Sequence, residues 1–315
     1  MLPSSEPVGR LLVNLVLRIF TNNILPAFLV MGVGVLLDRK LGIDKKHLSR
    51  LSIYVLAPCL IFNLISQSTV DPRQFGLLIL YAILTTVVMC LVGLVVGRLL
   101  RWPPTKVDGL ILSIAFLNAG NLGLSVVLFT YGEPGLALAS IYFVASSMTT
   151  YTLATFFANR SKGSMGAAAR QVFSLPAPYA FALALLLRWA GWSLPQVLAK
   201  PVSLIAGAAV PTLLMMLGLQ LSQTPIGRRY KDVAVGVFLR LIVGAGVAIV
   251  LAAGLGLQGL TRRVAIVESS TPTAVTSALL AIEFDADAEF VTSVIFFSTL
   301  FSALTLTGLI SLLEG

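Results

Sequence analysis

Two short stretches of this chain put chemistry-bearing residues inside long apolar runs. The first is Phe116-Leu117-Asn118-Ala119-Gly120-Asn121-Leu122-Gly123. Two amides and two glycines are costly in a lipid-facing helix. Glycine loosens the helix, and asparagine can satisfy the backbone groups that a break sets free. Non-helical backbone at membrane depth is tolerated only where protein or a cavity covers it. The stretch therefore predicts a helix break over 118–123, whose second half would turn a positive N-terminus toward an anionic group. Close packing through small residues is the competing reading. The second stretch is Glu268-Ser269-Ser270-Thr271-Pro272-Thr273. Pro272 removes a backbone donor and clashes with the preceding turn, and the neighbouring hydroxyls can repair or exploit the gap. A simple proline kink is the alternative. Glu268 is an acid inside a span, which is a functional hypothesis by default. It could bind a cation or carry a proton, or it could pair with Arg262 or Arg263 one turn away.

Tyr142, Ser146, Ser147, Thr149, Thr150 and Tyr151 form a third polar group. They could line a pathway or bond across helices. Pro58, Asn63, Pro211 and Gln220 read as a kinked framework pair. There is no glycine-rich phosphate loop, no metal-ligand spacing and no nucleophile beside a histidine. His47 is the single histidine, so a histidine metal cluster is excluded. Cys59 and Cys90 both fall in apolar runs, which argues against a disulfide framework.

The elements that must position these residues follow from composition. Hydrophobic residues make up 57% of the 315 residues and charged residues only 11%, against about 25% charged in soluble domains. Mean hydropathy is +0.95. A soluble globule of this size could not be coated with so few charges. The sequence therefore predicts an all-α integral membrane protein. Ten apolar runs fall over 14–37, 47–65, 75–99, 107–129, 134–157, 172–189, 202–221, 233–257, 264–282 and 290–313. Most approach the roughly 20 residues a span needs.

The net charge of +9 does not indicate nucleic acid, because the basic residues read as short-loop residues that set orientation. Arg39, Lys40, Lys45, Lys46 and Arg50 load the first loop, and Arg98, Arg101 and Lys106 the third. Arg160, Lys162 and Arg170 load the fifth, and Arg228, Arg229 and Lys231 the seventh. The even loops carry Arg73, Lys200, Arg262 and Arg263. Odd loops are then cytoplasmic and both termini outside, in a multi-pass protein of a bacterial inner membrane. Residues 1–20 do not read as a cleaved leader, since no small-residue cleavage site follows the apolar run.

The chain also repeats itself. Pro26 matches Pro178, Pro58 matches Pro211, and the interruption at 118–123 matches that at 269–273, all near one offset. Two five-span units, 1–160 and 161–315, would be inverted copies, an arrangement frequent in secondary transporters. Chance recurrence of membrane prolines is the competing account.

Several stretches together resemble the auxin efflux carrier family of bacterial and plant transporters over essentially the whole chain. They are Leu56-Ala57-Pro58-Cys59-Leu60-Ile61-Phe62, Leu117 through Leu124, Tyr131-Gly132-Glu133-Pro134-Gly135-Leu136-Ala137, Ala209-Val210-Pro211 through Leu217-Gly218-Leu219, and Ser270-Thr271-Pro272. The resemblance implies ten spans in two inverted repeats, with helices four and nine broken and crossing. It implies a scaffold of helices one, two, six and seven, often the homodimer interface. Asn118 matches the family's carboxylate-contacting asparagine, and Tyr151 a helix-five tyrosine. Ser146 and Ile61 depart from the plant carriers' glutamine and serine, which weakens the case for auxin itself. The substrate set implied is Asn118, Gly120, Asn121, Ser146, Tyr151, Pro272 and Thr273. Glu268-Ser269-Ser270 looks more like sodium/bile-acid symporters, a related fold in which a crossover glutamate ligates sodium. That would make Glu268, Asn118, Ser269 and Thr271 an ion set, with sodium the candidate and no other cofactor. The function implied is secondary active transport of a small organic anion by alternating access, coupled to sodium or protons. A bile-acid-type symporter and a membrane receptor that does not transport are the alternatives, and an enzyme is not expected.

Overall fold

The computed structural model describes residues 8–68, 70–158, 175–224, 227 and 230–314, with side-chain detail left out for 8–12, Lys45, Tyr151 and 154–158. The basic residues Arg160, Lys162, Arg170, Arg228 and Arg229, and the side chain of Tyr151, lie outside the described residues. Among the described residues the chain is all helical, with no strand.

Helix α1 (Val8–Ile19) runs through a π-turn (Phe20–Ile24) into α2 (Leu25–Leu41). Then come α3 (Lys45–Leu51), a second π-turn (Ser52–Leu56), α4 (Ala57–Ser66) and α5 (Pro72–Leu99). Helix α6 (Pro104–Ala115) is followed by a π-turn (Ala119–Gly123) and α7 (Leu124–Ala158). The second half holds α8 (Pro176–Trp189), α9 (Gln196–Gly207) and α10 (Ala209–Ser222). Next are α11 (Tyr230–Phe238), a π-turn (Leu239–Val243) and α12 (Gly244–Gly254). The chain ends with α13 (Gly259–Ser269), α14 (Thr276–Glu283) and α15 (Ala288–Glu314).

Local sequence explains the ends. Asp71 caps α5, accepting from Arg73 N at 2.8 Å ahead of Pro72 at the first position, where proline's missing donor costs nothing. Gly42 closes α2 with φ 57, a left-handed cap that glycine adopts without strain. Asp44 caps α3 through Lys46 N at 2.8 Å, and that N–H, more than any other group, holds the Asp44 carboxyl below its ordinary range.

Among the described residues, seven helices are long and apolar enough to cross a membrane: Val13–Leu41, Lys46–Ser66, Pro72–Leu99, Ala119–Thr150, Gln196–Ser222, Tyr230–Gly254 and Ala288–Glu314. Three of the ten apolar runs give no separate helix of that length among the described residues. The runs at 107–129 and 264–282 are each divided in two, and the halves α6, α13 and α14 are individually too short. The second half of the fourth run joins the fifth, bent at Gly132 with φ 65. Of the sixth run only α8 is described.

Helices α2 and α10 pack most extensively of all pairs, and α4 and α8 next. The first contact is backbone to backbone. A Cβ on Gly34 would lie 2.8 Å from the carbonyl carbon of Met215, and one on Gly218 would lie 2.9 Å from that of Met31. Small residues let membrane helices approach this closely, where lipid supplies no hydrophobic drive.

Candidate functional site

The two interrupted runs meet. Asn118 N donates to Pro272 O at 2.8 Å, and Ala274 N donates to Phe116 O at 2.9 Å. These two bonds form an antiparallel bridge between Leu117 and Thr273. Extended backbone buried between helices must find its own partners, and each broken segment supplies them for the other. The break lies slightly upstream of the expected 118–123: Phe116 to Asn118 are non-helical, while Ala119–Gly123 already form a π-turn. On the other segment, Glu268 and Ser269 still belong to α13, and Ser270 to Val275 form the interruption.

Asn118 stands at the N-terminus of the long helix running into α7. Its Oδ1 accepts from Asn121 N at 3.3 Å, and its buried Nδ2 has no partner. It lines a cavity of about 680 Å³ that Lys46 and Arg50 also line. Gly120, Asn121 and Ser146 line the same cavity, so with Asn118 four of the expected substrate residues share one space, together with the framework residue Gln220. Ser146 Oγ donates to Phe143 O at 3.1 Å. Pro272 and Thr273 do not line it. Pro272 supplies the bridging carbonyl, and Thr273 Oγ1 donates to Ser113 O at 2.6 Å, a framework contact.

Glu268 is fully buried, and neither carboxyl oxygen has a hydrogen-bond partner. Its carboxyl rests against Gly123, where an added Cβ would lie 2.8 Å from Cδ. The alternative ion pair does not form: Arg263 Nη1 instead reaches Glu314 Oε1 at 3.2 Å. The hydroxyls expected beside Glu268 are engaged elsewhere. Thr271 Oγ1 donates to Glu268 O, the backbone carbonyl, at 2.8 Å. Ser269 Oγ lies 2.7 Å from Ala265 O, 3.0 Å from Tyr81 Oη and 3.1 Å from Tyr142 Oη. Tyr81 Oη in turn donates to Ala248 O at 3.1 Å.

The reading of every basic residue as a loop residue is corrected at two positions. Lys106 is buried, pairs with Asp232, and lies 4.0 Å from the Trp102 ring centroid. Arg240, in the π-turn between α11 and α12, is 1% exposed. Its Nη1 donates to Ile114 O at 2.6 Å and its Nη2 to Ser269 O, the last turns of both first half-helices. The signal was present as a single arginine in the run 233–257. An ionisable residue within a span marks a site by default, as it did for Glu268.

A second cavity, of about 1200 Å³, lies at the opposite end. Asn63, Gln67, Asp71, Gln74, Glu133 and Thr261 are among its lining residues.

A family model described as "Membrane transport protein" matches residues 19–310. The chain belongs to this family, the auxin efflux carrier-like transporters. It is 28% identical to an "Uncharacterized transporter" of Methanothermobacter thermautotrophicus, over 91% of this chain and 96% of that one. It is 29% identical to an "Uncharacterized transporter" of Methanocaldococcus jannaschii, over 83% and 87%. It is 25% identical to a "Putative malonate transporter" of Rhizobium meliloti, over 94% and 96%. Membership makes this multi-pass chain a membrane transporter and not an enzyme. In this transporter the crossover and the cavity reaching Asn118 are the candidate functional site.

Proposed function

We propose that this membrane transport protein is a secondary active transporter that moves a small carboxylate across a lipid bilayer by alternating access. The observation that carries the reading is the Asn118 amide, buried with an unpartnered Nδ2 at a helix N-terminus and lining a cavity that Lys46 and Arg50 also line. An amide donor, the positive end of a helix and basic residues in one cavity together suit a carboxylate. The relative named as a malonate transporter supports the same substrate class. The smaller cavity is lined by Leu117 to Asn121 and Ala274 to Thr276 of the crossover, and a second cavity lies at the other end of α4 and α7; space at both ends favours a transporter over a receptor.

The architecture that goes with this function is ten spans in two inverted halves, 1–160 and 161–315. Its support is reciprocity: each broken segment donates one backbone bond to the other. The extensive pairs α2 with α10 and α4 with α8 also exchange when the halves are exchanged. Asn118, Gly120, Asn121, Ser146 and Tyr151 form the substrate set, and Glu268 the coupling residue for sodium or a proton. A homodimer through the scaffold helices completes the proposal.

The test is uptake of radiolabelled malonate and other mono- and dicarboxylates into proteoliposomes. Asn118→Ala should fold yet lose about 1–3 kcal/mol of binding, roughly five- to 150-fold in affinity. Normal transport by that variant would remove Asn118 from the site.

A further inference from the structure

An arginine buried in a membrane helix is expensive and calls for a purpose. Arg240 reaches its position through the π-turn Leu239–Val243, which interrupts the α11–α12 helix only there. Such single-turn bulges re-aim side chains and recur at functional sites. Its two terminal nitrogens go to Ile114 O and Ser269 O. Helix α6 ends at Ala115 and α13 at Ser269, so one guanidinium closes the C-terminal ends of both first half-helices. Each such end carries about half a negative charge, and the N-terminus of the next half about half a positive one. Along the fourth segment these opposite ends lie a few residues apart, at Ile114 and Asn118. Left alone, the negative end would offset the positive one in the field at the cavity floor.

We propose that Arg240 is a positioning residue for anion binding: it cancels the negative ends of both first half-helices, leaving the positive end at Asn118 to dominate the cavity floor. The proposal rests on the carboxylate reading above. Arg240 does not line the cavity among the described residues, and it acts through the helix ends it holds. The unpartnered Asn118 Nδ2 is the independent sign that this floor takes an acceptor. Two hydrogen bonds to two segments also make Arg240 a clamp on the crossover, so charge and geometry are separable by substitution.

The full-length protein in lipid nanodiscs is compared as wild type, Arg240→Met and Arg240→Lys. Malonate affinity is read by calorimetry and backbone order over 113–118 and 266–274 by hydrogen exchange. Arg240→Met should weaken malonate binding at least tenfold and raise exchange in both stretches. Arg240→Lys, keeping the charge, should restore affinity to within threefold of wild type. Wild-type affinity in Arg240→Met overturns the proposal, and so does a lysine variant as weak as the methionine one. If Arg240→Met does not accumulate as a monodisperse protein, Arg240→Lys decides alone, and a tenfold loss there counts against it. If the wild type binds no carboxylate at all, the functional reading is what fails. Exchange then judges Arg240, and unchanged exchange in Arg240→Met refutes the clamp.

Discussion

The Glu268 carboxyl is enclosed by protein and lies against Gly123, with no hydrogen bond to either oxygen. A buried ionisable group left this way is costly unless a cation or a proton completes it. The glycine is part of the arrangement, since any larger residue at 123 would occupy the carboxyl's place. Glu268→Gln should abolish the cation dependence of uptake: sodium stimulation if sodium couples, or the pH dependence if protons do. Gly123→Ala should perturb the same dependence while leaving Glu268 in the chain. If both variants keep wild-type sodium and pH profiles, Glu268 is not the coupling residue. At this scale the sequence was informative about identity and less so about partners. Asn118 and Glu268 announce themselves as polar residues in apolar runs. The contact of Ser269 with Tyr81 and Tyr142 was not legible, because those tyrosines come from helices far away in sequence, and Thr271 turns back to the local Glu268 carbonyl instead of the carboxyl. Arg240 is legible by the same rule as Glu268, as a lone charge in an apolar run, although the charge balance of the loops draws basic residues toward an orientation role.

The broken elements could be located to within a few residues because proline and paired glycines interrupt a helix wherever they fall. Their exact edges depended on the other segment: Phe116 to Asn118 are extended because Pro272 and Ala274 bond to them. The π-turns at Phe20–Ile24, Ser52–Leu56 and Leu239–Val243 had no such marker: Thr21-Asn22-Asn23 and Arg240 are polar residues in two of them, but no proline or glycine pair interrupts the helix there. The α2–α10 contact was equally silent, as Gly34 and Gly218 are only two glycines among 26. The structure gives those two a specific role, because the atoms facing them are backbone and cannot swing away. Gly218→Val should force the two helices apart, destabilising the protein by about 1–3 kcal/mol as overpacking does. Thermal unfolding of the purified variant in nanodiscs checks this. An unchanged midpoint would mean the helices are not in backbone contact.

At the scale of the whole molecule, composition alone fixes an all-helical membrane protein, because so few charges cannot coat a soluble one. Counting spans is harder, since a divided span fails a length criterion that a continuous one passes. The proposed ten spans would place both termini on the same face, and the basic odd loops would make that face the outer one. Single cysteines at Ser4 and Gly315, introduced with Cys59 and Cys90 replaced by serine, should both react with an impermeant thiol reagent in intact cells. Protection of either one would refute the arrangement.

The two cavities also bring the electrical path through the protein down to a short one. On α7 one cavity reaches Leu138 and the other begins at Phe143, five residues or about 7.5 Å of helix. With water and salt filling both, the membrane voltage would not fall evenly over the roughly 30 Å hydrocarbon thickness but would be focused across that thin septum. A unit charge passing it gains or loses about 2.3 kcal/mol per 100 mV, although it travels only a fraction of the bilayer. A net charge moved across it by a few ångströms, whether on a bound solute or on the Arg240-bearing helix, would then register as a displacement current.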